Sequence, residues 1–130
     1  MIGRVTALTA WFLVLAFLVP PALAQRSRCG FGAALEAVRA ADRVLAGGAR
    51  LDSLAAGREA AASATERLRE AAMVFVGCGC RRAAPEAAEA AAIAEQAVSE
   101  ASVARIRAML DRARFSLGLL RERLGRSGCA

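Results

Sequence analysis

The stretch "EQAVSEASVARIRAML", Glu95 to Leu110, decides the fold. Between Pro85 and Gly118 the chain contains neither glycine nor proline. One helix could therefore run from Pro85 to Leu124, forty residues or about 60 Å at 1.5 Å per residue. The alternative is a turn near Ser99–Ser102 that makes two helices of it. Three observations favour the turn.

The first is periodicity. Val103, Ile106, Leu110, Ala113, Leu117, Leu120 and Leu124 recur at alternating spacings of three and four, which is one face of a helix. Continued upstream, that register lands on Ser99, Gln96, Ala92 and Glu89, so the apolar face is interrupted there. The second is charge. Glu86 to Glu100 holds four acids and no base, whereas Arg105 to Arg126 holds seven arginines against Asp111 and Glu122. Two antiparallel helices of opposite charge attract, and each block suits a helix dipole end. The third is cysteine geometry. A helix leaving Cys29 and a second returning to Cys78 and Cys80 bring three cysteines to one end. Cys129 reaches that end only if a third helix goes out and a fourth comes back, because a disulfide needs Cα atoms within about 7 Å.

The first two helices read plainly. Phe31, Leu35, Val38, Ala41 and Leu45 form a stripe that ends at Gly47 and Gly48. A second helix starts near Asp52 or Ser53, both good caps, and runs through Leu54, Ala61, Leu68, Ala72 and Phe75 to "GCGC". Gly57 is a tolerated weak point inside it. Pro85 suits the first turn of the next helix, with Glu86 and Glu89 complementing its positive end. The expected fold is all-α: a disulfide-stapled antiparallel bundle of four helices, with three helices and one long C-terminal helix as the alternative. No sequence repeat is strict enough to define a solenoid.

The first segment, "MIGRVTALTAWFLVLAFLVPPALAQ", carries Arg4, an apolar run of about thirteen residues, Pro20 and Pro21, and small residues at Ala22 and Ala24. This pattern predicts a Sec-type signal peptide over residues 1–24, cleaved after Ala24. The run is short for a spanning helix, which needs roughly 20 residues; a retained anchor is the alternative. Gln25 stands where a lipoprotein needs cysteine. Cleavage would leave one helical domain over 25–130, with a net charge of +5.

All 18 basic residues are arginine, and lysine, histidine, tyrosine and asparagine are absent. With so much alanine and glycine, the composition fits a GC-rich bacterial genome. Together with the leader it predicts a bacterial protein that is periplasmic or secreted. An even count of cysteines in a small exported chain reads first as a disulfide framework. Cys78 and Cys80 would each bond a terminal cysteine, as Cys29–Cys78 with Cys80–Cys129 or as Cys29–Cys80 with Cys78–Cys129; both remain open. The core would be alanine and leucine with few large groups, so staples matter. A disulfide closing about 50 residues adds on the order of 3–4 kcal/mol in the chain-entropy account.

The chemistry implied is sparse. Without histidine, Ser-His and Cys-His hydrolases are ruled out. No C-x-x-C-H haem motif and no glycine-rich phosphate loop after a strand is present. No catalytic residue and no cofactor are implied, and the chain is not expected to be an enzyme. An alternative uses Cys78-Gly79-Cys80 as a thiol redox or metal-binding site, where Arg81 and Arg82 would stabilise a thiolate. Another uses Arg105, Arg112, Arg114, Arg121, Arg123 and Arg126 as contacts to an anionic lipid surface. The competing expectation is that these arginines pair with the acidic third helix. The leading function is a binding or structural module of the cell envelope, with an envelope protein or anionic lipid as partner and not nucleic acid. Exposed alanine faces also leave a homodimer open.

Overall fold

The computed structural model describes residues 29–129. The segment read as a signal peptide, residues 1–24, lies outside them. Four α-helices run up and down among the described residues: α1 (Phe31–Ala46), α2 (Leu54–Gly77), α3 (Ala83–Val98) and α4 (Val103–Ser127). A 3₁₀ turn, Gly47–Arg50, follows α1.

The turn in the deciding stretch is where periodicity and charge place it. Ser99 closes α3 and Ser102 opens α4. The Ser102 hydroxyl accepts from the Arg105 amide at 3.3 Å, one of the donors a helix start leaves unpaired. Ser53 does the same for α2, accepting from the Ala56 amide at 3.2 Å. The single long C-terminal helix is therefore not formed.

Pairing follows side-chain size. Every buried residue of α3 is alanine, from Ala83 to Ala97. α3 makes its most extensive contact with α2, whose Ala61, Ala64 and Ala71 are also buried. α4 supplies the volume that α3 lacks, through Ile106, Leu110, Leu117 and Leu120, all fully buried. Val103 and Leu124, at the ends of the expected stripe, are half-buried. In α1, Val38, Ala41 and Leu45 are buried as expected, joined by Ala34 and Ala37, while Phe31 and Leu35 lie at the margin. Phe31 meets the buried Phe75 ring at 5.9 Å between centroids, tilted by 59°. Thr65, the buried polar residue of the core, donates its hydroxyl proton to the Ala61 carbonyl at 2.8 Å.

Gly57 corrects the expectation of a weak point. It is buried, and a Cβ there would stand 3.0 Å from both Cγ2 and Cδ1 of Ile106. The glycine is the recess that receives Ile106, the first fully buried side chain of α4.

The disulfides are Cys29–Cys78 and Cys80–Cys129, with Cα–Cα distances of 4.9 and 4.8 Å. Each spans a sequence separation of 49, and the two loops do not overlap. The molecule is thus two helical hairpins, α1–α2 and α3–α4, each closed at its open end by its own bond. Their layout matches: a cysteine, a helix of 16 residues, a turn with a serine cap, a helix of 24 or 25 residues, and a cysteine. The core positions of α2 (Gly57, Ala61, Ala64, Leu68, Ala71, Phe75) match those of α4 (Ile106, Ala113, Leu117 among them) at one constant offset from the two serine caps. Residue identities differ at most of these positions, so the repeat is visible in architecture and not in sequence.

Candidate functional site

The short segment "GCGC" answers its own question once α2 ends. Gly79 has φ 74, the left-handed region that glycine adopts freely. The Cys80 amide donates to the Phe75 carbonyl at 2.8 Å and the Gly79 amide to the Val76 carbonyl at 3.0 Å. This pair of bonds is a Schellman helix end with Gly79 at its left-handed position. It reverses the chain between the two cysteines. Cys78 then meets Cys29 at the start of α1, while Cys80, fully buried, meets Cys129 at the end of α4. Of the two pairings left open, this is the one formed, and no cysteine is free. All four sulfurs are committed, so thiolate chemistry here requires a reductant first. Two disulfides without a free thiol are the chemistry of an oxidising environment.

The six arginines of α4 read as candidate contacts to an anionic surface do not share one face. Arg114 and Arg121 lean to α1, where both meet Asp42, at 3.6 and 2.7 Å. Arg123 leans to α3 and meets Glu86 at 2.8 Å. Arg105 pairs with Glu100 of the turn at 3.6 Å, and Arg126 with Glu122 of its own helix at 3.3 Å. Only Arg123 makes the expected pair with an acid of α3. Arg112 forms no ion pair among the described residues.

Two grooves flank α4. Between α1 and α4 a groove of about 270 Å³ has Phe31, Leu35 and Val38 on its walls and Arg39 and Arg121 at its rim. Both arginines already hold acids, Glu36 and Asp42. Between α3 and α4 a groove of about 360 Å³ is built differently. Ile93, Phe115 and Leu119 line its middle, with Glu86 and Arg123 toward the disulfide end. Glu89 and Arg112, also in its walls, have no ion-pair partner among the described residues. Phe115 is 71% exposed and Leu119 50% exposed, one turn apart on α4. Glu86 is mostly buried; one carboxylate oxygen takes the Arg123 hydrogen bond and the other has no donor.

Phe115 was legible in part. It lies midway between Ala113 and Leu117 of the apolar stripe, which puts it on the opposite face of the helix. Leu119 and the pairing of its neighbours were not legible, because they depend on which helix lies beside α4. Among the described residues no helix is long and apolar enough to cross a membrane, and no group of three or more cysteine or acidic side chains is placed to hold a metal ion. No protein family, characterised protein or solved structure matches this chain.

Proposed function

We propose that the protein is a small exported binding module of the bacterial envelope, periplasmic or secreted, that acts by contact and not by catalysis, through its α3–α4 groove. The observation that carries this reading is Phe115. In a core built largely of alanine, large side chains are scarce, yet one of the three phenylalanines among the described residues stands mostly in solvent. It contributes little to folding there. Contiguous exposed apolar groups rimmed by charge mark contact sites, and aromatic residues dominate the energetics of such sites. Leu119 and Ile93 extend the apolar strip, and the unpaired Glu89 and Arg112 supply directional contacts at its two ends.

A bare cationic surface for lipid is less well supported, because five of the six arginines already face acids. The test is a photo-crosslinking side chain placed at position 115 of the protein in its native host, with the same group at exposed Glu59 of α2 as control. Adducts from position 115 and none from position 59 are expected. No adduct from position 115, or equal labelling from both, would remove the groove as the contact surface.

A further inference from the structure

The groove between α3 and α4 has a symmetry that names its occupant. The two helices are antiparallel, and the Glu86–Arg123 bond sets their register. Each step along α3 from Glu86 therefore moves one step back along α4 from Arg123. Glu89 lies level with Leu120, Ile93 with Ser116, and Ala97 with Arg112. At about 1.5 Å per residue, Glu89 and Arg112 are separated along the groove by roughly 12 Å. The midpoint falls at the level of Ile93 and Ser116, one residue from Phe115. The two unpaired charges of the groove are thus opposite in sign and lie on either side of its exposed aromatic ring, Glu89 about 7.5 Å and Arg112 about 4.5 Å from the level of Phe115.

We infer that the groove binds a second copy of this chain, forming an antiparallel two-fold dimer whose axis crosses the groove at the level of Ile93 and Ser116, beside Phe115. This rests on the reading of the α3–α4 groove as the contact surface. A two-fold axis running across the groove at right angles to the helices reverses the levels. It brings Arg112 of each copy level with Glu89 of the other, and the two Phe115 rings beside one another, offset by about 3 Å along the groove. Every contact then occurs twice, as an isologous interface demands. Each unpaired charge finds an opposite charge, and the exposed strip of Phe115, Leu119 and Ile93 leaves water. Neither end of the groove offers the same match to a copy laid parallel, because Glu89 would then sit over Leu119 and Leu120, and Arg112 over Ala97. The surface is small beside the roughly 800 Å² per partner of a standard interface, so association is of the weak, concentration-dependent kind.

The experiment is sedimentation equilibrium of the oxidised protein from ~1 μM to ~1 mM, the range in which weak complexes form and dissociate. The expected result is a mass that rises toward twice the monomer. Arg112→Glu and Glu89→Arg should each weaken dimerisation by about tenfold or more, equivalent to roughly 1.4 kcal/mol. The double variant carrying both changes should restore it, because the pair is then reversed and still matched. Both side chains are exposed, so circular dichroism and thermal midpoints should hold constant. A wild-type protein that stays monomeric overturns the inference, and so does a dimer that ignores the charge changes or is not restored by the double variant. A monomer that instead binds vesicles containing phosphatidylglycerol, and loses them on Phe115→Ser, assigns the groove to lipid and equally overturns the second copy. A heterologous adduct from position 115 alongside a monomeric chain would leave the contact surface standing while removing this partner.

Discussion

At the scale of single residues, Gly57 and Phe115 show how little of a side chain's role is written in its type. Alanine normally favours a helix interior over glycine by about 1 kcal/mol. At position 57 that gain is opposed by Ile106, which is fully buried and β-branched and has little freedom to move. Gly57→Ala is therefore expected to destabilise the protein by about 1 kcal/mol net, the usual scale of overpacking. Ile106→Val removes one of the two opposing atoms, so a double-mutant cycle by urea denaturation should show a favourable coupling. Strictly additive effects would mean that the two sites do not press on each other. Phe115 is the converse case. Phe115→Ser should change stability by no more than about 0.5 kcal/mol, as exposed substitutions do. Phe75→Ala should cost about 3–5 kcal/mol, because Phe75 is wholly buried against Phe31. A large loss at position 115 would place that ring in the core and undo the contact-surface reading.

At the scale of elements, the ends of helices carry the topology. The α3–α4 turn rests on the Ser102 cap, and Ser102→Ala should cost about 1 kcal/mol, measured as a lower denaturation midpoint with unchanged slope. The end of α2 rests on Gly79. Any side chain there must adopt the left-handed region, at a cost of roughly 1–2 kcal/mol. Gly79→Ala is expected to show that loss and also slower recovery of native pairing after reduction, since it disturbs the reversal that separates Cys78 from Cys80. Peptide mapping of the reoxidised variant would check it; native pairing at the wild-type rate would show the reversal to be unnecessary. α4 also illustrates how an element distributes charge. Its arginines occupy both flanks, so it clamps to α1 through Asp42 and to α3 through Glu86, and these surface pairs steer packing more than they stabilise it.

At the scale of the whole molecule, two hairpins with thin alanine cores are held by two staples. Each disulfide closes a separate loop, and each should contribute on the order of 4 kcal/mol in the chain-entropy account. The loops share no residue, so their effects should be nearly additive. Replacing Cys29 and Cys78 by alanine, or Cys80 and Cys129, should lower the melting temperature by roughly 15–30 °C, at 4–8 °C per kcal/mol for a domain of this size. Removing both would consume most of a typical stability of about 5–15 kcal/mol, and the reduced protein should be unfolded or nearly so. Calorimetry on the two single-staple forms checks this. A fully reduced protein that melts within a few degrees of the oxidised one would mean that the alanine packing suffices by itself.

The all-α class, the helical stripes and a preference for four antiparallel helices over three were determined by the sequence alone; the structure settled the number at four and brought Cys129 to the end where the other cysteines gather. The former follow from local rules: the period of the apolar stripe through Ile106, Leu110 and Leu117, the break in it at Ser99, and serines placed to cap. Such signals lie within one or two helical turns of each other, so they survive reading along a line. Only the tertiary structure decided between the two disulfide pairings, turned Gly57 from a flaw into a recess, divided the arginines between two flanks, and left Glu89 and Arg112 without partners. Each of those depends on which helix stands beside which and at what level. That is set by how alanine and leucine faces fill space across the bundle, a quantity with no counterpart in the linear order of residues.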